Sequence, residues 1–574
     1  MRKIFLQALL LALAAVPVKA GDVVLQAMTD ELKRTTDKLQ MDKLEKPYFV
    51  SYFVLDSTSD AYAAVFGALR EDNHSVSRQA EVELRVGSAA FDNSAYVGDN
   101  FGSYAPGSAT LSDEDAYDSI RFSLWAVTDE VYKSALEKYS QKRAYQKKKS
   151  IRELYGDLSD EKQETLYADR KAVEPFDAAA WRDNTRALSA VFRGYPAIQA
   201  SEVRFSRALW TARFVNSEGT SYRTGWDKFN LNLRAVVQTR EGLKISDERE
   251  MSWLSLAAIP PLEKLKAETE AFARDMSYLV ASSTSEVYIG PVLFERQAAA
   301  EFLNQLFVSN ISFPRTPWAD KEDWTRYYIA SGGLTKKLNL RVLPVFMSVT
   351  DNPLETSYKG EQLSGSYLID NEGVRPGPLE LVRNGKLVNF YMGREPVKEF
   401  RHSNGHARGF TNEFPTPRPG NVFFSELPEK RVPYAELRKK LLQTAAEAGL
   451  DYAIIVRRMD QENEKESSED LLAGPVLAYK VNVKDGSETL INGAEWTGVT
   501  FRALRDILLV SDSDYVYNYH QAGPFYQNRG FIPASIIAPS AMLVQEMEMK
   551  PTEKQPDRQP YLPHPYFENA EKGR

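Results

Sequence analysis

The sequence predicts an α+β protein of two domains, an α/β N-terminal domain followed by a β-rich C-terminal domain. Three observations predict it. The chain has 574 residues, 43% of them hydrophobic, enough to bury at least two cores. Helical and strand periodicities alternate up to about residue 280, whereas from about 340 short strand patterns separated by turn residues dominate.

The first twenty residues, MRKIFLQALLLALAAVPVKA, open with Arg2 and Lys3, run apolar from Ile4 to Val16 and end on Val18-Lys19-Ala20. A charged start, a run shorter than the about 20 apolar residues a bilayer needs, and small residues at the end make a secretory signal peptide over 1–20. An uncleaved anchor helix is the alternative. Val24, Met28, Leu32, Thr35 and Leu39 then keep helical spacing, and YFVSYFVLDS reads as a strand. Ser112, with Asp115 three residues on, reads as a capping box opening a long amphipathic helix through Ile120, Leu124, Val127, Val131 and Ala135. Its basic end, Lys142 to Lys149, reads as a solvated face.

Between 199 and 240 two strand patterns flank NSEGTSYR, a hairpin turn around Gly219, and an amphipathic helix follows over 262–278. Gly290-Pro291 is expected to break a short strand ahead of a helix from Ala298 to Phe307. These changes place the boundary between an N-terminal domain, 21–285, and a C-terminal domain, 286–548. Within the latter, LPVFMSV, GSYLIDNEG and LELVRNGKLVNFYM are strand segments, with Asn384-Gly385 a strong hairpin dipeptide. A helix over 434–448 runs into the strand YAIIVRR. Residues 460–470, six acids against Lys465, read as a disordered loop, and the tail 549–574, with five prolines between 551 and 565, as extended and unpacked.

Composition excludes several function classes. A net charge of −7 from 72 basic and 79 acidic residues leaves no cationic face for nucleic acid. No cysteine means no disulfide and no thiolate nucleophile or ligand. GSYAPGSA at 102–109 lacks the lysine of a phosphate loop, and no Gly-x-Ser-x-Gly elbow occurs. Two of the five histidines, His402 and His406, stand four apart in RHSNGHARG. Such a pair shares a metal face only on a helix, and Ser403-Asn404-Gly405 favours a turn, so loop histidines and a metal pair are both possible readings.

The same stretch continues as SNGHARGFTNEFPTPRPGNVFF, 403–424. With VNSEGT (215–220), VTDNPLE (349–355), GSYLIDNEGVRPGPLELVRNGKLVNFYMGRE (365–395) and IIAPSAMLVQEME (536–548), it resembles the TldD/PmbA family, metallopeptidase-related proteins also called modulators of DNA gyrase. The resemblance implies the two-domain fold above, usually assembled as a dimer. It also implies that active members carry His-Glu-x-x-x-His on the helix opening the C-terminal half, with a further ligand, often cysteine, near the C-terminus. Here that helix, VLFERQAAAEFLNQLF (292–307), holds no histidine, and the later segment reads YNYHQAGPFYQ (517–527). The departure resembles the PmbA (TldE) branch, whose members lack the motif and partner a zinc-bearing subunit.

The resulting expectation is an exported, periplasmic or secreted subunit without a cofactor, binding peptide or a partner through His402, Asn404, His406, Arg408, Arg418, Asp370 and Glu372. Arg408 and Arg418 suit a carboxylate, and Asp370 and Glu372 are equally turn residues. The partner is a second copy or a zinc-bearing TldD-like relative, with Tyr515, Tyr517, Tyr519, Phe525 and Tyr526 as interface candidates. No membrane span remains after cleavage of the signal. The alternative is an active peptidase rebuilt around zinc on His402, His406 and His520, with Glu372 or Glu395 as base. Cleavage after Ala20 is checked by N-terminal sequencing of protein from its source cell: the mature chain should start at Gly21, and an intact Met1 would refute export.

Overall fold

The computed structural model describes residues 21–41, 43–97, 106–152, 155–168, 175–321, 332–409, 414–461, 471–521, 532–554 and 565–567. The signal segment, most of the acidic stretch, Phe525 and Tyr526 lie outside them.

The N-terminal half is built on one long, mostly antiparallel sheet with helices on a single face. Strands β1 (Pro47–Val65), β2 (Ala68–Ser88), β3 (Ile198–Asn216), β4 (Ser221–Gln238) and β5 (Lys244–Trp253) lie in the order β2-β1-β3-β4-β5. Strand side chains alternate between faces, so residues two apart share one. Val50, Tyr52, Val54 and Val215 therefore point together and pack under helices α1 (Val23–Lys38) and α2 (Tyr117–Lys149). On that face Val203, Phe205, Phe229, Leu231 and Leu233 meet α3 (Ala178–Ala190) and α4 (Leu262–Leu279). The opposite face carries Phe53, Leu55, Ala212, Phe214 and Tyr222, which close on Ile369 of the C-terminal half.

That second half interleaves sheets and helices. Strands β6 (Tyr288–Glu295), β10 (Tyr452–Met459), β11 (Pro475–Asn482), β12 (Glu488–Asn492), β13 (Ile507–Ser511) and β16 (Ala541–Pro551) form a mixed sheet in the order β12-β11-β10-β6-β16-β13. A second sheet runs β8-β7-β9-β15-β14, from Leu379–Arg383, Met347–Asp351, Asn421–Glu426, Ile532–Pro539 and Asp514–Gln521. Helix α5 (Gln297–Leu306) joins the core shared by both sheets and is buried along its whole length. Helix α6 (Tyr434–Glu447) covers the other face of the first sheet through Leu437, Leu441 and Ala445. Asn384 and Gly385, at φ 48° and 77°, make the expected two-residue turn.

Five local expectations need correction. Helix α2 starts at Tyr117 and not at Ser112: its N-cap is Ala116, whose methyl cannot accept a hydrogen bond, while Ser112 Oγ accepts from Glu114 N at 3.2 Å ahead of the helix. Pro291 does not break β6. Its missing N–H falls at a register shift between Gly290 and Val292, where the ladder with β16 is interrupted anyway. Tyr517 and Tyr519 are buried and stack at 5.4 Å, so these rings complete their own chain's core instead of offering an interface. In the tail, a helical turn at 565–567 sets Tyr566 and Phe567 against Phe66 at 5.2 and 5.9 Å.

The basic end of α2 is the fifth. Lys142 is fully buried, donating to Ser94 O and to Asp157 Oδ2, each at 2.7 Å. Asp157, itself buried, also receives Arg315 Nη2 of the C-terminal half at 2.8 Å and Asp92 N at 2.6 Å. Neighbouring Arg394 carries the contact onward, donating to Glu218 at 2.7 Å and to Ser159 O at 2.6 Å. Asp157→Asn leaves Lys142 and Arg315 without their common counter-charge, and removal of one partner from a buried ion pair costs about 3–5 kcal/mol. Urea unfolding should show a loss of that size. A loss of under about 1 kcal/mol, the worth of an exposed pair, would show that the cluster does not clamp the halves.

Candidate functional site

Helix α5 spends its polar side chains inside the fold. Gln297 exchanges two hydrogen bonds with the backbone of Met459, donating from Nε2 at 3.0 Å and accepting at Oε1 at 2.9 Å. Glu301 accepts from Tyr517 OH at 2.6 Å, from Asn304 Nδ2 at 3.2 Å and from Gln305 Nε2 at 2.9 Å. Just before the helix, Glu295 accepts from Tyr434 OH and from Arg457 Nε. A zinc site needs three or four donors converging on one point. The amide and carboxylate of α5 diverge toward β10 and β14, so this helix does not fit the ion. Among the described residues no cluster of three or more His, Cys, Asp or Glu could hold a metal.

The 401–409 loop separates its two histidines. Gly405 adopts φ 74°, and a Cβ there would stand 2.6 Å from Pro376 N, so the turn requires glycine. His402 is 70% exposed, with Nδ1 at 3.6 Å from Glu161. His406 is fully buried, its Nδ1 donating to Asn404 O at 2.9 Å and its Nε2 facing Asp351 at 3.6 Å. One imidazole points to water and the other to the interior, so they share no ligand face. Asn404 is a strut, accepting from Met392 N and donating to Phe390 O. Arg418 is buried beside it, with its backbone N–H on His406 O and its Nε on Thr416 Oγ1.

Asp370 and Arg408 alone of the seven candidates line a cleft of about 1050 Å³ between the two halves. Asp370 holds a turn: its carboxylate accepts from the backbone N–H of Glu372, Val374 and Ala407 at 2.8–3.1 Å. Burial opposes those bonds and pushes its pKa up to about 7. Glu372 lines a smaller adjoining pocket and accepts Arg394 N at 2.6 Å, its pKa raised well above the carboxylate range by burial and by Asp370. Arg408 donates from Nη1 to Pro419 O and Pro533 O, both at 2.8 Å, and lies over the Tyr367 ring at 4.6 Å.

The cleft floor is the helix-free face of the N-terminal sheet. Trp210 pairs with Trp226 across β3 and β4, their rings 5.7 Å apart, and Ala208 pairs with Lys228. Lys228 is 6% exposed and has neither a hydrogen bond nor an ion pair among the described residues. Burial, the dominant cause, lowers its pKa to about 8 against the opposing pull of Glu250. Glu250 in turn accepts from His520 Nδ1 at 3.0 Å, so His520 stands on this wall and not with the 401–409 loop. In GWDKFNLNL the alternation of Trp226, Lys228, Asn230 and Asn232 with Phe229, Leu231 and Leu233 marks a polar strand face. Nothing local reveals that another half of the protein covers it.

With that geometry in view, comparisons with known proteins agree on the frame. Residues 286–551 match the PmbA/TldA metallopeptidase C-terminal domain. No curated protein matches the chain. Among solved structures, TldE from Thermococcus kodakarensis aligns with a TM-score of 0.57 at 11% identity, over 91% of this chain and 99% of that one. A structure from Thermotoga maritima MSB8, described as a candidate modulator of a DNA gyrase, gives 0.56 at 15% identity, over 87% and 96%. A similarly described protein from Bacteroides thetaiotaomicron VPI-5482 gives 0.53 at 11%, over 92% and 98%.

The lysine in the floor makes a stability prediction. Its native pKa lies below its unfolded value, so the contribution it makes to stability is present above about pH 10.4 and lost as pH falls through about 8. Lys228→Met keeps the length and removes the charge. Urea unfolding at pH 7 should show a gain of roughly 1–3 kcal/mol that fades by about pH 10.5. An equal effect at both pH values would refute a buried, charge-strained lysine.

Proposed function

This chain belongs to the TldD/PmbA family through its C-terminal half, and on that premise we propose that it is an exported, non-catalytic subunit that binds peptide in the cleft between its halves. The observation that carries the reading is the state of α5. Where the family resemblance expects a metal-binding helix, Gln297 and Glu301 tie β10 and β14 together and leave no convergent donors. The cleft meanwhile combines the apolar Trp210 and Trp226 rings with a few polar groups on its floor and walls, the usual composition of a ligand site. Export follows from the charged and apolar start of the chain. Among the described residues no helix is long and apolar enough to cross a membrane. Assembly with a second copy or with a zinc-bearing relative belongs to the same reading, through a surface other than the buried Tyr517 and Tyr519.

The rebuilt-peptidase alternative gains nothing from the geometry, since His402, His406 and His520 occupy three different settings. Elemental analysis of the mature protein should find well under one equivalent of zinc, while fluorescence anisotropy with a labelled, unstructured casein peptide should show saturable binding. About one equivalent of zinc that disappears in a His402→Ala, His406→Ala double variant would overturn the non-catalytic reading. Absence of casein-peptide binding would overturn the peptide reading.

A further inference from the structure

Two cations face the cleft without an ion pair to any carboxylate among the described residues. Lys228 is buried and unbonded. Arg408, also buried, spends Nη1 on two backbone carbonyls and makes no ion pair. They are close enough that Arg408 disfavours the charged form of Lys228. A desolvated cation is retained at a cost unless something pairs with it.

Two of the acids that line the cavity are already committed. Asp370 receives three backbone N–H groups, and Glu250 receives His520. Neither forms an ion pair with Lys228 or Arg408. The missing counter-charge has a place to enter, because both cations line the 1050 Å³ cavity. Next to them the Trp210 and Trp226 rings provide an apolar surface on the same strand face as Lys228.

We propose that Lys228 and Arg408 form an anion subsite in the cleft that takes the carboxylate of a peptide whose apolar side chains lie on Trp210 and Trp226. The inference rests on the peptide-binding reading and specifies what part of the peptide is recognised. A carboxylate can come from the chain end or from an acidic side chain. A lowered lysine pKa fits the same geometry, since an arriving anion restores the charged form.

The test uses the full mature chain and three probes in titration calorimetry: acetyl-Ala-Phe-Phe with a free carboxylate, the same peptide as its amide, and acetyl-Ala-Glu-Phe amide. A charge-assisted pair in a desolvated site should make the free acid bind about tenfold tighter than its amide. In Lys228→Gln that ratio should fall to within about twofold, and in Lys228→Arg, which keeps a cation, it should persist. Circular dichroism confirms that each variant is folded. Tight binding of the glutamyl amide supports the subsite and assigns it a side-chain carboxylate; weak binding of that probe with tight binding of the free acid assigns it a chain end. Equal binding of the free acid and both amides by the wild type overturns the anion subsite and leaves peptide binding standing. An unchanged ratio in Lys228→Gln overturns the role of Lys228. Failure of all three probes to bind, with casein peptide still bound, overturns this inference alone; loss of casein peptide as well overturns the underlying reading.

Discussion

Asp157, a carboxylate with almost no access to water, decides how the two halves meet. It faces Lys142 from α2 and Arg315 from the C-terminal half, and it takes the backbone N–H of Asp92. Charges removed from water to this degree persist only where every partner is present. Arg85, fully enclosed nearby, donates to Asp92, to Glu83 and to the Asp157 carbonyl. The end of α2, the edge of the N-terminal sheet and the start of the C-terminal half are therefore fixed relative to one another by one charge network. Contacts farther along, from Arg394 to Glu218 and from Arg375 to Glu164, extend the same alignment. The cleft exists because this clamp brings the helix-free sheet face against the C-terminal half without closing the whole surface.

Helix α5 illustrates how a helix buried on all sides is kept. Ten consecutive buried residues include Gln297, Glu301, Asn304 and Gln305, and each polar group has found a partner. Gln297 acts as an added rung on β10, while Gln305 accepts Ala473 N and donates to Asp460 O. Unsatisfied, these groups would each cost about 1–3 kcal/mol. Satisfied, they hold the two sheets of the C-terminal half on either side of the helix. The polar content of α5 thus has a structural explanation complete in itself.

Features set by neighbouring residues were legible in the sequence. The hairpin about Gly219, the Asn384-Gly385 turn and α4 depend on local periodicity and turn chemistry, and all three appear where the pattern puts them. Features set by distant residues were not. Lys142 sits in a run of surface lysines and differs from them only because Asp157 folds over it. The histidine pair looked like one feature, yet Gly405 turns His402 outward and His406 into the core. Of the proposed site, Asp370 and Arg408 were found in the IDNEG turn and the 401–409 loop, two segments that carry the family resemblance, whereas Lys228 and Glu250 lie on strands whose cover comes from more than a hundred residues away.

The cleft and the core of the N-terminal half are two faces of one register. Trp210 opposite Trp226 and Ala208 opposite Lys228 fix β3 against β4. That alignment sends Phe229, Leu231 and Leu233 under α3 and α4 and sends Lys228 and Asn230 into the cleft. A slip of one residue would exchange the sets, burying a cation among Phe192, Phe205 and Phe272 and laying leucines on the cavity floor. The hydrophobic pattern that stabilises the sheet therefore also places the unpaired lysine at the site. Mutational change to the floor residues can alter the cleft's chemistry with the core untouched, because adjacent positions on β4 answer to different constraints.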